Sequence, residues 1–229
     1  TASTEVVVRS TVSSETADVI QPGDSYRVAG STIGTIESVT TYPASNGQRT
    51  VVLGMTLETV DRSDGQYVGD RRVQVGASIP FQTSEYQVTG AVVTQGSLSL
   101  PGEETTRTVE VELQSVSPDV ADSLSTGMVE RSGSSVSARV DDVEVEPAVV
   151  ALTSEDGDIF RREHPVNKDV TLTLELSGRE TQSGLAFHGE SLQVGRTVLL
   201  DFSTVTVEGT VVRIPTASTA NSTSTAVVV

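Results

Sequence analysis

The chain has 229 residues, 31 acidic and 15 basic side chains, a formal net charge of −16 and no cysteine. Binding to nucleic acid phosphates needs a basic face, and the longest basic clusters here are the pairs 71–72 and 161–162, so we expect no nucleic-acid partner. The lack of cysteine excludes disulfides, thiol nucleophiles and thiolate metal sites.

Lysine is nearly absent, because Lys168 is the only lysine and the other 14 basic residues are arginines. An acidic surface with little lysine is typical of proteins in concentrated salt, where ions screen the repulsion between carboxylates. We therefore predict a halophilic protein, the alternative being an ordinary acidic protein that uses little lysine. The chain has no run of about 18 apolar residues that could cross a bilayer, and it begins at Thr1 without a secretion signal. We expect that it has been processed or trimmed.

An internal repeat organises the chain. Residues 6–20 recur at 110–124, an offset of 104 residues. Farther along, the offset becomes 119, because 15 residues have been inserted in the second copy between Pro147 and Asp169. The matching positions include Gly23 and Gly127, Pro43 and Pro147, 73–76 and 192–195, and 86–93 and 205–212. We interpret the chain as two tandem copies of one domain.

Each copy begins with a strand that leads into a short helix. Val109, Val111 and Leu113 alternate with polar residues, as in a strand with one buried face. Ser117-Pro118 is typical of a helix N-cap followed by proline at the first helical position, and Gly127 is predicted to end that helix. Valine-rich segments at 136–145, 170–176, 198–202 and 205–214 bring the total to about six strands per copy.

A hairpin follows in both copies, and the insertion lengthens the second one. Asn46-Gly47 and Asp156-Gly157 are pairs that accept the positive φ of a tight hairpin turn. Gly76 and Gly90 are 14 residues apart, as are Gly195 and Gly209, which predicts glycines at tight turns or at bends on the rim of a barrel.

The predicted fold is therefore all-β, with two tandem homologous small β-barrel or sandwich domains that each carry one short helix. Of the two forms, the closed barrel is preferred to the open sandwich. The predicted domains are 1–100 and 101–215, the second with its longer hairpin at 148–168, followed by a Ser/Thr-rich tail at 216–229. Pro101-Gly102 marks the break between the domains.

The sequence shows no group of residues with the pattern of a known catalytic or metal-binding motif. His164 and His188 are both predicted in loops, and there is no Gly-x-Ser-x-Gly motif for a nucleophilic serine. The acidic groups 141–146 and 155–158 lack the spacing of a helix-loop-helix calcium site. We therefore predict no catalytic residue, no cofactor and no metal site, while an unrecognised hydrolase stays the third functional hypothesis.

The carboxy-terminal tail carries the two site predictions that the sequence does allow. Asn221 begins an Asn-Ser-Thr sequon, which predicts glycosylation outside the cell. The last residues can form a strand that pairs with a sheet edge on a neighbouring subunit. The predicted subunit contact comprises Thr223, Ser224, Thr225, Ala226, Val227, Val228 and Val229.

The second copy resembles an uncharacterised domain-of-unknown-function family of membrane-anchored β-domain proteins of bacteria and haloarchaea. The resemblance is carried by segments from Val109 through Gly127, 143–148, 169–172 and 194–195 to 207–212, and we expect it once in each copy. It implies a β domain outside the membrane behind an amino-terminal anchor, so that a membrane contact would be made only through a missing or removed anchor. It implies no catalytic residues.

The predicted function is a non-enzymatic extracellular or cell-surface assembly protein of a halophile, with subunits joined into a filament by strand donation. Its partners would be further copies of the chain or other envelope proteins. The alternative is an envelope binding module for a polysaccharide or for cations. An open cleft with convergent polar groups would favour that alternative.

Overall fold

The computed structural model describes residues 2–215, and most of them lie in β-strands. The strands form two eight-stranded sheets, one in each half of the chain, and each half has one short α-helix. The all-β prediction with two similar β domains is confirmed. In this part of the chain, no helix has the length and the apolar character needed to cross a membrane.

The first domain contains eight strands, one α-helix and one short 3-10 helix. Its elements are β1 (Ala2–Ser13), α1 (Ser14–Val19), β2 (Ser25–Val28), β3 (Ser31–Pro43), the 3-10 helix Ser45–Gly47, β4 (Gln48–Arg62), β5 (Gly65–Val68), β6 (Arg71–Arg72), β7 (Ser78–Gln82) and β8 (Gln87–Gln95).

The second domain repeats this order. Its elements are β9 (Glu103–Val116), α2 (Pro118–Ser123), β10 (Val129–Ser132), β11 (Ser135–Thr153), β12 (Ile159–Thr181), β13 (Gly184–Phe187), β14 (Glu190–Ser191), β15 (Thr197–Asp201) and β16 (Thr206–Arg213). Each domain has eight strands instead of the predicted six, because a short hairpin, β5–β6 or β13–β14, continues from the end of the long strand.

Both sheets curl into a barrel-like form. Their strand orders are β2-β3-β4-β1-β8-β7 and β10-β11-β12-β9-β16-β15. The first and last strands of each path contact each other, β2 with β7 and β10 with β15, so each sheet encloses its own core. The two cores are separate clusters, built around residues such as Leu53 and Met55 in the first domain and Leu172 and Leu174 in the second.

Irregularities in strand pairing recur at matching places in the two domains. The matching register shifts lie at Tyr26/Arg27 and Glu130/Arg131, at Ile36/Ser38 and Val140/Asp142, and at Val92/Thr94 and Val211/Arg213. A β-bulge is a specific feature that bends one strand and is kept where the fold needs it. Three bulges at matching positions are therefore strong support for duplication of one domain.

One bulge lacks a counterpart and corrects the predicted alignment of the first strands. In β9 an extra residue is accommodated at Ser115, whose φ is 53°, whereas β1 pairs with β4 without interruption. The offset of 104 therefore holds from the helix onward, but within the strand it is 103. Val6 is equivalent to Val109, both fully buried, and not to Glu110 as the sequence comparison predicted.

The predicted start of the helix is confirmed, but its predicted end is wrong. Ser117 is the N-cap of α2, its hydroxyl accepting a hydrogen bond from the Val120 amide, and Pro118 is at the first helical position. The helix ends at Ser123, and Gly127 lies in the following turn with φ of 89°. The chain leaves the helix in an extended conformation, so no left-handed residue is needed at its end.

The predicted glycines have two different roles. Gly76 and Gly195 adopt φ of 86° and 87° in turns, a conformation that favours glycine. Gly90 and Gly209 lie in strands, where an added Cβ would collide with Val8 and Val111 respectively. Both glycines therefore allow close contact with the first strand of their domain, which also supports the offset of 103 between β1 and β9.

The inserted residues form a two-stranded ribbon that extends beyond the second barrel. Val149–Thr153 of β11 pairs with Ile159–Glu163 of β12, and the turn lies at 154–158 with Gly157 at φ of 87°. The predicted longer hairpin is thus present, and we call residues 149–163 the arm. The first domain has a short turn at Ser45–Gly47 instead.

The predicted glycosylation site Asn221 lies outside the described residues. The predicted subunit contact, Thr223 to Val229, also lies outside them. Both stay predictions.

Candidate functional site at the contact between the two domains

A groove of about 960 Å³ runs along the contact between the two domains. Residues of both domains line it, including Thr40 and Tyr42 from β3 and Ser135 and His188 from the second domain. Thirteen of the lining residues carry a hydroxyl group. The groove therefore presents many groups that can both donate and accept hydrogen bonds, and few charges.

A buried carboxylate lies at one side of this groove. Glu130 in β10 is 1% exposed, and its Oε1 receives a hydrogen bond from the Ser137 hydroxyl at 2.6 Å. Its Oε2 accepts from the Asp201 amide at 2.8 Å. His188 Nε2 lies 2.6 Å from Oε1 and forms an ion pair with it when the ring is protonated. Burying a carboxylate is costly unless it is paired, and these contacts supply that pairing.

His188 occupies a strained backbone position in the turn between β13 and β14. Its φ is 52°, in the left-handed region, and the equivalent residue of the first domain is Gly69 with φ of 62°. A non-glycine residue there costs about 1 kcal/mol or more. The imidazole stacks on Phe187 at 3.8 Å and on Tyr42 of the first domain at 4.8 Å between ring centroids. The stack and the bond to Glu130 together hold this conformation.

Tyr42 brings the first domain into the same cluster. Burial raises the pKa of its hydroxyl, the Arg179 guanidinium opposes that shift, and the Glu130 carboxylate adds to it. Arg179 is itself held by the chain between the domains, since it donates to the Pro101 carbonyl at 3.2 Å and to the Gly102 carbonyl at 2.5 Å. The connecting segment is thus fixed against the second domain.

Four further polar contacts join the domains, one of them the hydrogen bond that Arg9 Nη1 donates to the Gly189 carbonyl at 3.2 Å. The Ser132 hydroxyl donates to the Thr41 carbonyl at 2.9 Å. Arg9 Nη1 lies 3.1 Å from Glu190 Oε1, and Arg49 Nη2 lies 3.4 Å from Asp201 Oδ2. These contacts surround the His188–Tyr42 stack, so the site is also the contact that sets the two domains against each other.

The arrangement does not activate a nucleophile. Ser137 and His188 both approach the same oxygen of Glu130, so the carboxylate lies between them. In a serine nucleophile site the histidine must instead accept the serine proton. The geometry therefore favours a positioning role for Glu130.

The other predicted side chains lie apart from this cluster. His164 is inside β12 and not in a loop as predicted, and its Nδ1 accepts hydrogen bonds from the amides of Val166 and Asn167. The acidic groups at 141–146 and 155–158 have exposed carboxylates. Among residues 2–215, no group of three or more histidine and acidic side chains is arranged to hold a metal ion.

Sequence reasoning missed Glu130, although the repeat contained a signal for it. Glu130 and His188 are equivalent to Tyr26 and Gly69 of the first domain. The second domain thus differs from the first in two ways: it has a carboxylate in place of an aromatic residue on a strand, and a histidine in place of a glycine in a turn. The two substituted side chains are in contact with each other.

Comparison with known proteins gives a family but no activity. No curated protein and no solved structure matches the chain. The family model described as a domain of unknown function, DUF4330, matches residues 93–215. The matched region contains the whole second domain with the Glu130–His188 cluster. The membrane anchor, and a second copy of the family domain in the first half of the chain, stay predictions. Because the match spans more than half of the 229 residues, the chain belongs to the DUF4330 family.

Proposed function

We propose that this protein is a non-enzymatic structural component of the cell surface of a halophile, which assembles with neighbouring subunits. The observation that carries the proposal is the arm, a feature that the second domain has and the first domain lacks.

The arm exposes apolar side chains on both of its faces. Leu152 and Phe160 are paired across the strands and are 47% and 56% exposed. On the opposite face Val149 and Ile159 are 55% and 72% exposed. A two-stranded ribbon is marginally stable alone in water, and large apolar patches on a surface mark contact sites. A neighbouring subunit that covers the arm would stabilise it.

The outer edge of the arm also lacks the usual protection against pairing. The residues from Val149 to Thr153 carry no charge and no proline, whereas exposed edges are commonly blocked by such residues. Among the described residues, β10 pairs with β11 only at Ser135–Arg139. The backbone edge of the arm is therefore available for strand addition.

The first prediction tests the arm. Replacing both Leu152 and Phe160 by threonine keeps the β-propensity of the strands and removes the apolar surface. We expect this Leu152→Thr, Phe160→Thr variant to stay folded and to lose assembly, as measured by analytical ultracentrifugation in molar salt. Val60→Thr in the first domain is the matched control, since Val60 is 52% exposed. Assembly that is unchanged in the double variant, or an intact protein that never assembles, would contradict the proposal.

A second candidate function is favoured by the groove. Its hydroxyl lining and the Tyr42–His188 stack are suited to a neutral polysaccharide, because hydroxyls hydrogen-bond to sugar hydroxyls and aromatic rings pack on sugar faces. The probe is a neutral oligosaccharide fraction from the envelope, titrated calorimetrically into the intact protein. Ser177→Trp, which fills the groove wall, should abolish the binding. Heat that is unchanged in this variant would contradict a site in the groove.

A further inference from the structure

We propose that copies of this chain join head to tail by repeating, between molecules, the contact that the two domains make within one molecule. This inference rests on the proposed assembly function and names its partner, a second copy of the chain. Its basis is the strand-for-strand correspondence of the two domains, which assigns an equivalent to every contact residue.

The contact within the molecule uses different surfaces of the two domains. The first domain contributes the outer part of β3 and its neighbours, which we call the acceptor surface, and the second domain contributes the β10, β13–β14 and β15 side, which we call the donor surface. The acceptor residues are Arg9, Thr41, Tyr42 and Arg49, and the donor residues are Ser132, His188, Glu190 and Asp201.

One acceptor surface and one donor surface are not used within the molecule. The equivalent acceptor residues of the second domain are Glu112, Val145, Glu146 and Lys168, and the equivalent donor residues of the first domain are Val28, Gly69, Arg71 and Gln82. Val28, Arg71, Val145 and Glu146 are exposed. Docking the donor surface of one copy on the acceptor surface of another would bring these two sets together.

One ion pair between the domains has an oppositely charged equivalent at the unused surfaces, with the positions of the two charges exchanged. Within the molecule Arg9 pairs with Glu190. The equivalent residues are Glu112 and Arg71, so a carboxylate takes the place of the guanidinium and a guanidinium the place of the carboxylate. Two substitutions of opposite sign at facing positions are what a repeated contact requires.

The remaining positions are also compatible. The hydrogen bond from Ser132 to Thr41 has Val28 and Val145 as its equivalents, which are 45% and 47% exposed, so burying them together removes apolar surface from water. In place of the Arg49–Asp201 pair, the Lys168 ammonium would face the Gln82 amide oxygen. The ring stack has no counterpart, because Glu146 and Gly69 occupy those positions.

The arm lies at the edge of the unused acceptor surface. It follows Pro147, the equivalent of Pro43, and the short turn after Pro43 lines a cavity together with β15 of the second domain. In the repeated contact the longer arm would lie along the neighbour's first domain at its β7 strand. Its exposed apolar residues would then be covered by the same partner.

This contact cannot close on itself in a pair. The acceptor surface is on the second domain and the donor surface is on the first, so each copy keeps one surface free after it binds a neighbour. Heterologous contacts of this kind produce open filaments or rings, not isologous dimers.

Charge exchange at one facing pair tests the inference. Glu112→Arg alone would place two guanidiniums together, and Arg71→Glu alone would place two carboxylates together, so each variant should associate roughly tenfold or more weakly. The double variant carries both charges exchanged and should recover assembly. A mixture of the two single variants should also assemble, because each supplies the surface that the other needs. Assembly is followed by analytical ultracentrifugation and electron microscopy at the lowest salt that keeps the protein folded.

Three further measurements complete the test. Glu175→Arg makes the same change of charge on an exposed strand position outside the contact and should assemble like the intact chain. Val28→Glu should weaken assembly even in molar salt, since the new charge would face Val145. If the intact chain assembles and the single variants assemble equally well, or if the double variant is as defective as the single ones, the head-to-tail contact is wrong while the assembly function stands. An intact chain that stays monomeric overturns both.

Discussion

At the scale of single residues, the distinctive feature of the chain is the buried carboxylate of Glu130 in the second domain, where the first domain has the aromatic ring of Tyr26. Glu130 is held by a hydroxyl from β11, an amide from β15 and an imidazole from the turn between β13 and β14. A satisfied polar cluster of this kind specifies one arrangement of its surroundings, because removing any partner leaves a buried group unpaired. It therefore fixes the turn at His188 that faces the first domain.

Removing the carboxylate should destabilise the second domain. Glu130→Ala leaves the Ser137 hydroxyl, the Asp201 amide and the His188 ring without their acceptor, and we expect a loss of about 3–5 kcal/mol. Glu130→Gln should lose less, about 1–2 kcal/mol, since the new amide can donate to Ser137 and to a neutral ring nitrogen. Urea unfolding followed by far-ultraviolet circular dichroism measures both variants.

Glu175→Ala serves as the control for that experiment, because this exposed carboxylate on β12 should change stability by no more than about 0.5 kcal/mol. Equal stability of Glu130→Ala and the intact protein would show that the cluster is unimportant for the fold.

The sequence did not predict the cluster, because two of its members, His188 and Asp201, lie 58 and 71 residues from Glu130 along the chain. Periodicity along one strand carries no information about such distant partners.

At the scale of elements, local patterns predicted much of the fold. The alternation of Val109, Val111 and Leu113 placed one face of β9 in the core, and all three are buried. Ser117-Pro118 predicted the start of α2 because capping depends on neighbouring residues alone. Because of the repeat, the strand and helix signals found in the second copy were expected in both copies, and the two domains do share one order of elements.

The elements that the sequence did not predict depend on how strands pair. The bulge at Ser115 is stabilised by Asp169, whose carboxylate accepts the Ser115 amide at 2.7 Å, and by Asn167. A single extra residue is hard to see in a repeat aligned by residue types, because Val6 to Val8 are consecutive in β1 while valines alternate with glutamates in β9, so that valine meets valine at either offset. It shifted the predicted alignment of β1 and β9 by one position, which places side chains on the opposite face.

At the scale of the whole molecule, the two domains differ most in charge. Residues 103–214 contain 21 acidic and 9 basic residues, a net charge of −12, whereas the rest of the chain contains 10 and 6, a net charge of −4. Four of these acids, Asp141, Asp142, Glu144 and Glu146, are exposed side by side on β11. Mutual repulsion of such carboxylates opposes the compact state unless ions screen it.

The stability of the fold should therefore depend on salt. Between about 0.1 and 3 M salt the screening length falls from ~10 Å to below ~3 Å, so repulsion between neighbouring carboxylates is largely removed. We expect the melting temperature to rise across this range, and the second domain to lose structure first at low salt because of its larger charge. A variant with Asp141→Asn, Asp142→Asn, Glu144→Gln and Glu146→Gln should need less salt, while the same substitutions should change little at 3 M, where the charges are already screened. Sucrose at equal osmolarity is the control, since it favours burial without screening charge. A melting temperature that does not change with salt, or that responds equally to sucrose, would contradict the halophilic interpretation.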